Sequence, residues 1–239
     1  SLSKITEELC QRLGVKINLL PMSDGPAATV VCTEEHGDMH FEEYLVKYQA
    51  SLKISGLRYM KINEKFPYSP SLIQSSYGFS NTNKSNFCAF HNDLESQIYL
   101  PSPGPKVLES IKKAKLLLIA PSNPLVSIKP ILGLQGVRDS LYDTTAIKIG
   151  VSPLVGGKAI KGPADFMLSQ LGMQSNSIGV ARLYSDFLDG FVIDDEDSFL
   201  KKEIEEMGIR VHICNTIMRN QCDEIKLAQE ILDFAEGIR

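Results

Sequence analysis

The residues with the clearest chemical use in this chain are those of Pro121-Ser-Asn-Pro-Leu-Val-Ser127. Its prolines fix the backbone, and Ser122, Asn123 and Ser127 stand between an apolar run and a helix start. A helix amino terminus leaves N–H groups unpaired and carries the positive end of the peptide dipoles. Hydroxyls and an amide add further donors, so the segment reads as a cradle for phosphate oxygens. The plainer alternative is that Ser127 only caps the helix. Val151-Ser-Pro-Leu-Val-Gly-Gly157, followed by Lys161-Gly-Pro163, has a similar build. There Gly156 and Gly157 permit close backbone approach to a ligand and Lys161 offers a point charge, although a plain connecting loop fits equally well. Leu20-Pro-Met-Ser-Asp24 ends on a carboxylate, Asp24, suited to a magnesium ion, a hydroxyl proton or a turn cap. The acidic group Asp189, Asp194, Asp195, Glu196 and Asp197 reads as a solvated loop with Asp197 capping a helix rather than as a metal site. His36 and His40 have a spacing that could bind a metal on a helix, but Gly37 and the alternation of Met39-His40-Phe41 point to a turn entering a strand.

These segments need elements to hold them. Leu2, Ile5, Leu9 and Leu13 form a helical apolar stripe stopped at Gly14, and Lys16-Ile-Asn-Leu-Leu20 reads as a strand. Strands near 28–33 and 39–46 follow. From about Tyr48 to Pro105 the pattern gives way to Ser, Asn, Tyr and Pro, and an insertion is expected over about 48–103, as a surface excursion, a lid or a partner surface. A helix near 104–114 leads into Leu116-Leu-Leu-Ile119, an all-apolar run expected of a central parallel strand. Pro130 fits only the first turn of a helix. Thr145–Val151, Gly190–Asp194 and Ile209–Ile213 read as further strands. Helices are expected near 163–172, 178–188, 197–207 and 223–236, the last with Ile225, Ala228, Ile231, Leu232 and Ala235 on its packed face. Strands alternating with helices predict an α/β fold, a three-layer Rossmann-like sandwich with a mainly parallel sheet. In such sheets ligands bind at the carboxyl ends of the strands, where all the turn-rich segments above fall.

Composition narrows the function classes. The chain has 239 residues, 25 basic against 29 acidic side chains and a formal charge of −4, with 43% hydrophobic residues. That suits one globular domain of ordinary core size, and the absence of a Lys/Arg block argues against a nucleic-acid surface. No apolar run approaches the roughly 18–20 residues needed to cross a bilayer, so no membrane partner is expected. The 5 cysteines lack zinc-like clustering and read as reduced, buried thiols in a cytoplasmic protein. Phosphate-loop, dinucleotide and nucleophile-elbow patterns are missing. From the residues alone, the chain is an α/β protein that binds a phosphorylated ligand.

Seven motifs, in order, carry a resemblance. Leu20-Pro-Met-Ser-Asp24, Ala120-Pro-Ser-Asn-Pro-Leu-Val-Ser-Ile-Lys-Pro-Ile-Leu132, Gly136-Val-Arg138, Val151-Ser-Pro-Leu-Val-Gly-Gly157, Lys161-Gly-Pro-Ala164, Gly179-Val-Ala181 and Asp189-Gly-Phe-Val-Ile-Asp194 are arranged as in the CofD family. That family is the 2-phospho-L-lactate transferase of deazaflavin coenzyme F-420 biosynthesis. The resemblance implies transfer of a phospholactyl, phosphoenolpyruvyl or phosphoglyceryl group from a guanosine-diphosphate-activated donor to the ribityl hydroxyl of the deazaflavin Fo, with release of GMP and with Mg²⁺ as cofactor. It implies that Ser122, Asn123 and Ser127 hold the diphosphate, with Gly156, Gly157 and Lys161 beside them. Met22 and Ser23 would line the deazaflavin side and Asp24 would assist proton removal; metal ligands are unassigned. A homodimer is implied as well. The chain resembles the last two-thirds of the family pattern as a single domain. The glycine-rich opening of that pattern is lacking, so a fragment with an exposed sheet edge is expected. The alternative is the branch of CofD-like regulatory proteins that bind a UDP-sugar without transferring anything, which carry a P-G-S-L-type segment where this chain has Pro121-Ser-Asn-Pro124.

Overall fold

The computed structural model describes residues 1–61 and 98–238, which divide into two compact units. One comprises Ser1–Leu108 with Pro130–Arg138, the other Glu109–Lys129 with Asp139–Arg239. Cys88 and most of the expected 48–103 insertion lie outside the described residues.

The first unit is built on a mixed sheet. Strand β1 (Ala27–Thr33) pairs antiparallel with β2 (Gly37–His40) on one side and β3 (Ile54–Lys61) on the other, and β4 (Ile98–Tyr99) adds a short parallel edge to β3. Val30, Val31, Met39, Ile54 and Tyr59 are buried on it. Several expectations change here. Lys16–Leu20 forms no strand, and Ile17 and Leu19 stay exposed, because alternation alone forms no ladder without a partner. Residues 41–46, expected as the end of a strand, are a helix (Phe41–Val46): His40 Nδ1 accepts the Glu42 N–H at 3.2 Å and caps it. Strand β3 lies in the stretch read as patternless, where Ser55 and Gly56 interrupt its alternation. Past the helix, Gln49 and Ala50 both take left-handed backbone conformations (φ 51° and 54°), and the buried Tyr44 hydroxyl donates to the Ala50 and Leu52 carbonyls at 3.0 and 3.3 Å.

The second unit has the expected α/β build. Strands β5 (Leu116–Ile119), β6 (Ile147–Val151), β9 (Gly190–Ile193) and β10 (Arg210–Ile213) make a parallel sheet in the order β10-β9-β6-β5. Between β6 and β9, β7 (Leu154–Val155) and β8 (Lys158–Ala159) form a small hairpin. One sheet face, with Ile149, Val151 and Val192, packs on Leu227, Ile231 and Ala235 of the helix Gln221–Ile238. Phe191 and Ile193 point to the other face and are equally buried, so this sheet is covered on both sides.

Two placements differ from the sequence reading. The apolar run of β5 occupies the outer position of its sheet, with Leu118 48% exposed. The C-terminal helix buries Leu227, Ile231 and Ala235 and leaves Ile225 and Leu232 in solvent, because the Leu227–Ala235 row meets the sheet. Cys32 and Cys214 are buried, whereas Cys10 is partly exposed and Cys222 exposed. Burial pushes the Cys214 thiol up to about 11, which keeps it protonated and inert. Among the described residues, no helix is long and apolar enough to cross a membrane.

Candidate functional site

In the second unit, the segment leaving β5 turns at once, with the Ser122 N–H donating to the Ala120 carbonyl at 2.7 Å. Asn123 is the cap: its Oδ1 accepts from the N–H groups of Leu125 (2.9 Å) and Val126 (3.3 Å). Pro124 then opens a π-helical turn, Pro124–Ile128, a form of helix often found at functional sites. Ser127 therefore does not cap; it lies inside the turn, its N–H bonded to the Asn123 carbonyl at 3.0 Å. One amide hydrogen of Asn123 points to Met167 Sδ at 3.6 Å, on the helix Ala164–Gln170. The cradle thus keeps three donors for a ligand: the second Asn123 amide hydrogen and the Ser122 and Ser127 hydroxyls, which form no hydrogen bond among the described residues.

The second strand-end loop is more tightly bound than its sequence suggests. Gly156 and Gly157 (φ 57° and 75°) are the two central residues of the β7–β8 hairpin, in which Val155 pairs with Lys158. A two-residue turn with positive φ at both positions explains the glycine pair without any ligand. Lys161 is exposed just beyond it.

Behind the hairpin runs a buried chain of hydrogen bonds. The Leu154 N–H donates to Ser152 Oγ (3.1 Å), Ser152 Oγ lies 2.9 Å from Ser177 Oγ, and Ser177 donates to Asp197 Oδ2 (3.0 Å). Ser177 gives its proton to the carboxylate, and the one proton of Ser152 has two acceptors in reach, the Leu154 carbonyl at 3.0 Å and Ser177 Oγ. Desolvation raises the Asp197 pKa above its ordinary value, opposed by the hydrogen bond from Ser177.

This overturns the reading of the acidic stretch. Asp197 is buried and caps nothing; Asp194 is the cap, accepting from the Glu196 N–H at 3.1 Å. Asp194 is itself buried and also holds the Thr216 N–H (2.8 Å) and hydroxyl (2.9 Å). Sequence reasoning missed Ser152, Ser177 and Thr216 entirely. A local signal existed only for the helix start, where Asn176 caps Ser177–Tyr184 by accepting from the Gly179 N–H.

Met22, Ser23 and Asp24 belong to the first unit. There the Ser23 hydroxyl is committed, donating to the Ser102 carbonyl (2.6 Å) and accepting from the Gly25 N–H (3.0 Å). The Gly104 N–H donates to the Met22 carbonyl at 2.7 Å, so the loop is laced to Ser102–Gly104. Met22 is half-buried, and Asp24 alone of the three presents its side chain to solvent. The Ser3 N–H donates to Asp24 Oδ1 at 2.7 Å, and this bond holds the carboxyl below its ordinary pKa. Asp24 is an ionised acceptor and a weak base. Among the described residues, no three His, Cys, Asp or Glu side chains converge on a metal position.

Comparison with known proteins agrees with this architecture. The family model described as 2-phospho-L-lactate transferase CofD matches residues 1–228. A 2-phospho-L-lactate transferase of Methanothermobacter thermautotrophicus is 33% identical over 231 residues, covering 97% of this chain and 62% of the relative. A phosphoenolpyruvate transferase of Streptomyces griseus is 32% identical over 248 residues, covering 100% of this chain and 65% of the relative. The chain therefore spans less than two-thirds of the length of either. A crystal structure of a UPF0052-family protein from Bacillus halodurans shares the fold with a TM-score of 0.55 at 13% identity, covering 95% of this chain and 65% of that one.

Proposed function

The chain belongs to the CofD family, and from that premise we propose that it serves as a 2-phospho-L-lactate-type transferase in coenzyme F-420 biosynthesis. The donor is a guanosine-diphosphate-activated lactate, or its phosphoenolpyruvyl or phosphoglyceryl equivalent, and the acceptor is the ribityl hydroxyl of Fo. The acceptor oxygen forms a bond to the phosphorus bearing the three-carbon acid, the bond from that phosphorus to GMP breaks, and the hydroxyl proton leaves to solvent. Relatives named for transfer of phospholactate and of phosphoenolpyruvate support the reaction class.

The observation that carries the reading for this chain is the turn after β5. Its uncommitted donors, the Ser122 and Ser127 hydroxyls and one Asn123 amide hydrogen, lie at the carboxyl end of a parallel strand and suit diphosphate oxygens. Lys161 adds a mobile positive charge, and the Gly156–Gly157 turn adds backbone near the same strand ends. In the first unit, Asp24 is ionised and exposed and Met22 half-buried, which suits the acceptor-side roles that the family resemblance implies for them. Ser23, whose hydroxyl is bound to backbone, shapes that loop. The described residues do not form a cage for Mg²⁺, so in this reading the ion arrives on the diphosphate, which needs at most one or two carboxylates beside it. A cytoplasmic homodimer belongs to the same reading.

Calorimetric titration of the folded chain with GDP and Mg²⁺, then with Fo and with a UDP-sugar, tests it. Binding of GDP and Fo is the expected result. Selective binding of the UDP-sugar would replace the transferase with the regulatory branch.

A further inference from the structure

A carboxylate as buried as Asp197, 1% exposed, is retained only where its hydrogen bonds are filled, because an unpaired buried charge is strongly destabilising. Its partners are not scattered. Ser152 directly follows β6, Leu154 opens the β7–β8 hairpin, Ser177 opens the helix Ser177–Tyr184, and Asp197 itself follows β9. The chain of donors from Leu154 through Ser152 and Ser177 therefore ties the exit of β6 and its hairpin to the exit of β9. Asp194, the other buried carboxylate of the same segment, ties the exit of β10 through Thr216. Neither side chain is exposed to meet a substrate.

We propose that Asp197 is a positioning residue for the phosphorylated donor: through Ser177, Ser152 and Leu154 it holds the β7–β8 hairpin, and with it the Gly156–Gly157 turn, in the place where the turn's backbone and Lys161 meet the diphosphate. The proposal rests on the transferase reading, which puts a diphosphate at these strand ends. A fully satisfied buried network has one geometry, and a ligand contact made by a turn is only as well placed as the atoms that hold the turn.

The test is GDP affinity, measured by calorimetry with Mg²⁺ on the unsubstituted chain, Asp197→Asn, Ser177→Ala and, as a control from the opposite face of the sheet, Ile231→Val. Asp197→Asn removes the charge and puts an amide where the Ser177 hydroxyl needs an acceptor, and Ser177→Ala breaks the chain in the middle. Both are expected to weaken GDP about tenfold, the scale of one misplaced contact. Ile231→Val lowers the melting temperature and leaves GDP affinity unchanged. If Asp197→Asn does not fold, Ser177→Ala decides. A folded Ser177→Ala chain that binds GDP as well as the unsubstituted one overturns the assignment, as does an equal loss in Ile231→Val, which would mark the effect as general softening. If the unsubstituted chain binds no GDP, the transferase reading itself fails and takes the assignment with it.

Discussion

The amide nitrogen of Asn123 lies 3.6 Å from the thioether sulfur of Met167, while the same side chain's oxygen caps the π-helical turn that follows. One residue therefore anchors the proposed phosphate cradle to a neighbouring helix and also closes the start of its own. Asn123→Ala should lower stability by about 1 kcal/mol, the usual loss on removing a cap. Asn123→Asp keeps a capping oxygen and introduces a negative charge. It should melt within a few degrees of the unsubstituted chain yet bind GDP at least tenfold more weakly, which thermal unfolding and calorimetry together would show.

The Met22–Asp24 loop is held by a close backbone contact. A Cβ at Gly104 would stand 2.5 Å from the Pro21 carbonyl oxygen, so no side chain fits without displacing the loop. Gly104→Ala should destabilise by about 1–3 kcal/mol, as overpacking does, and should weaken Fo binding more than GDP binding. Equal melting temperatures for the two chains would count against this packing.

Asp24 and Asp197 should impose opposite pH dependences. The pKa of Asp24 is lowered on folding, so its stabilisation is present above the unfolded value of 3.8 and is lost as pH falls through the folded value. That of Asp197 is raised, so the folded chain holds its proton more tightly, and stability falls as pH rises from 3.8 through the raised value. Melting temperatures between about pH 3 and pH 7 should show a shallower acid-side loss in Asp24→Asn and a shallower decline toward neutrality in Asp197→Asn.

Gln49 and Ala50 hold left-handed backbone under the hydroxyl of Tyr44. Tyr44→Phe removes the donor to two carbonyls and should reduce stability by about 1 kcal/mol. Gln49→Gly, at an exposed position, should raise it by a few tenths, because relief of left-handed strain slightly exceeds the added chain entropy. Denaturant unfolding of both variants measures the two signs.

Which features were legible in the sequence follows from how local their causes are. The turn after β5 is readable because its prolines and small polar residues lie within one short segment, although the alternative that Ser127 caps the helix fails, since the cap is Asn123. The apolar run of β5 announced a strand but not its outer place, since an apolar sequence records burial and not the number of neighbours. Lys16–Leu20 has the alternation of a strand and finds no partner among the described residues. The Ser152–Ser177–Asp197 chain was invisible because its members are 25 and 20 residues apart and become neighbours only once β6 and β9 pair.

The order of the parallel sheet carries a consequence for assembly. β5, β6, β9 and β10 lie side by side in the order in which a ribosome delivers them, so each new strand finds its predecessor already in place and need not thread between strands made earlier. Growth can proceed from one margin by successive short-range closures, the kind that cost least chain entropy. The helix Gln221–Ile238 arrives after all four strands and shields Ile149, Val151 and Val192. Until it docks, that side of the nascent sheet is an oily surface open to water.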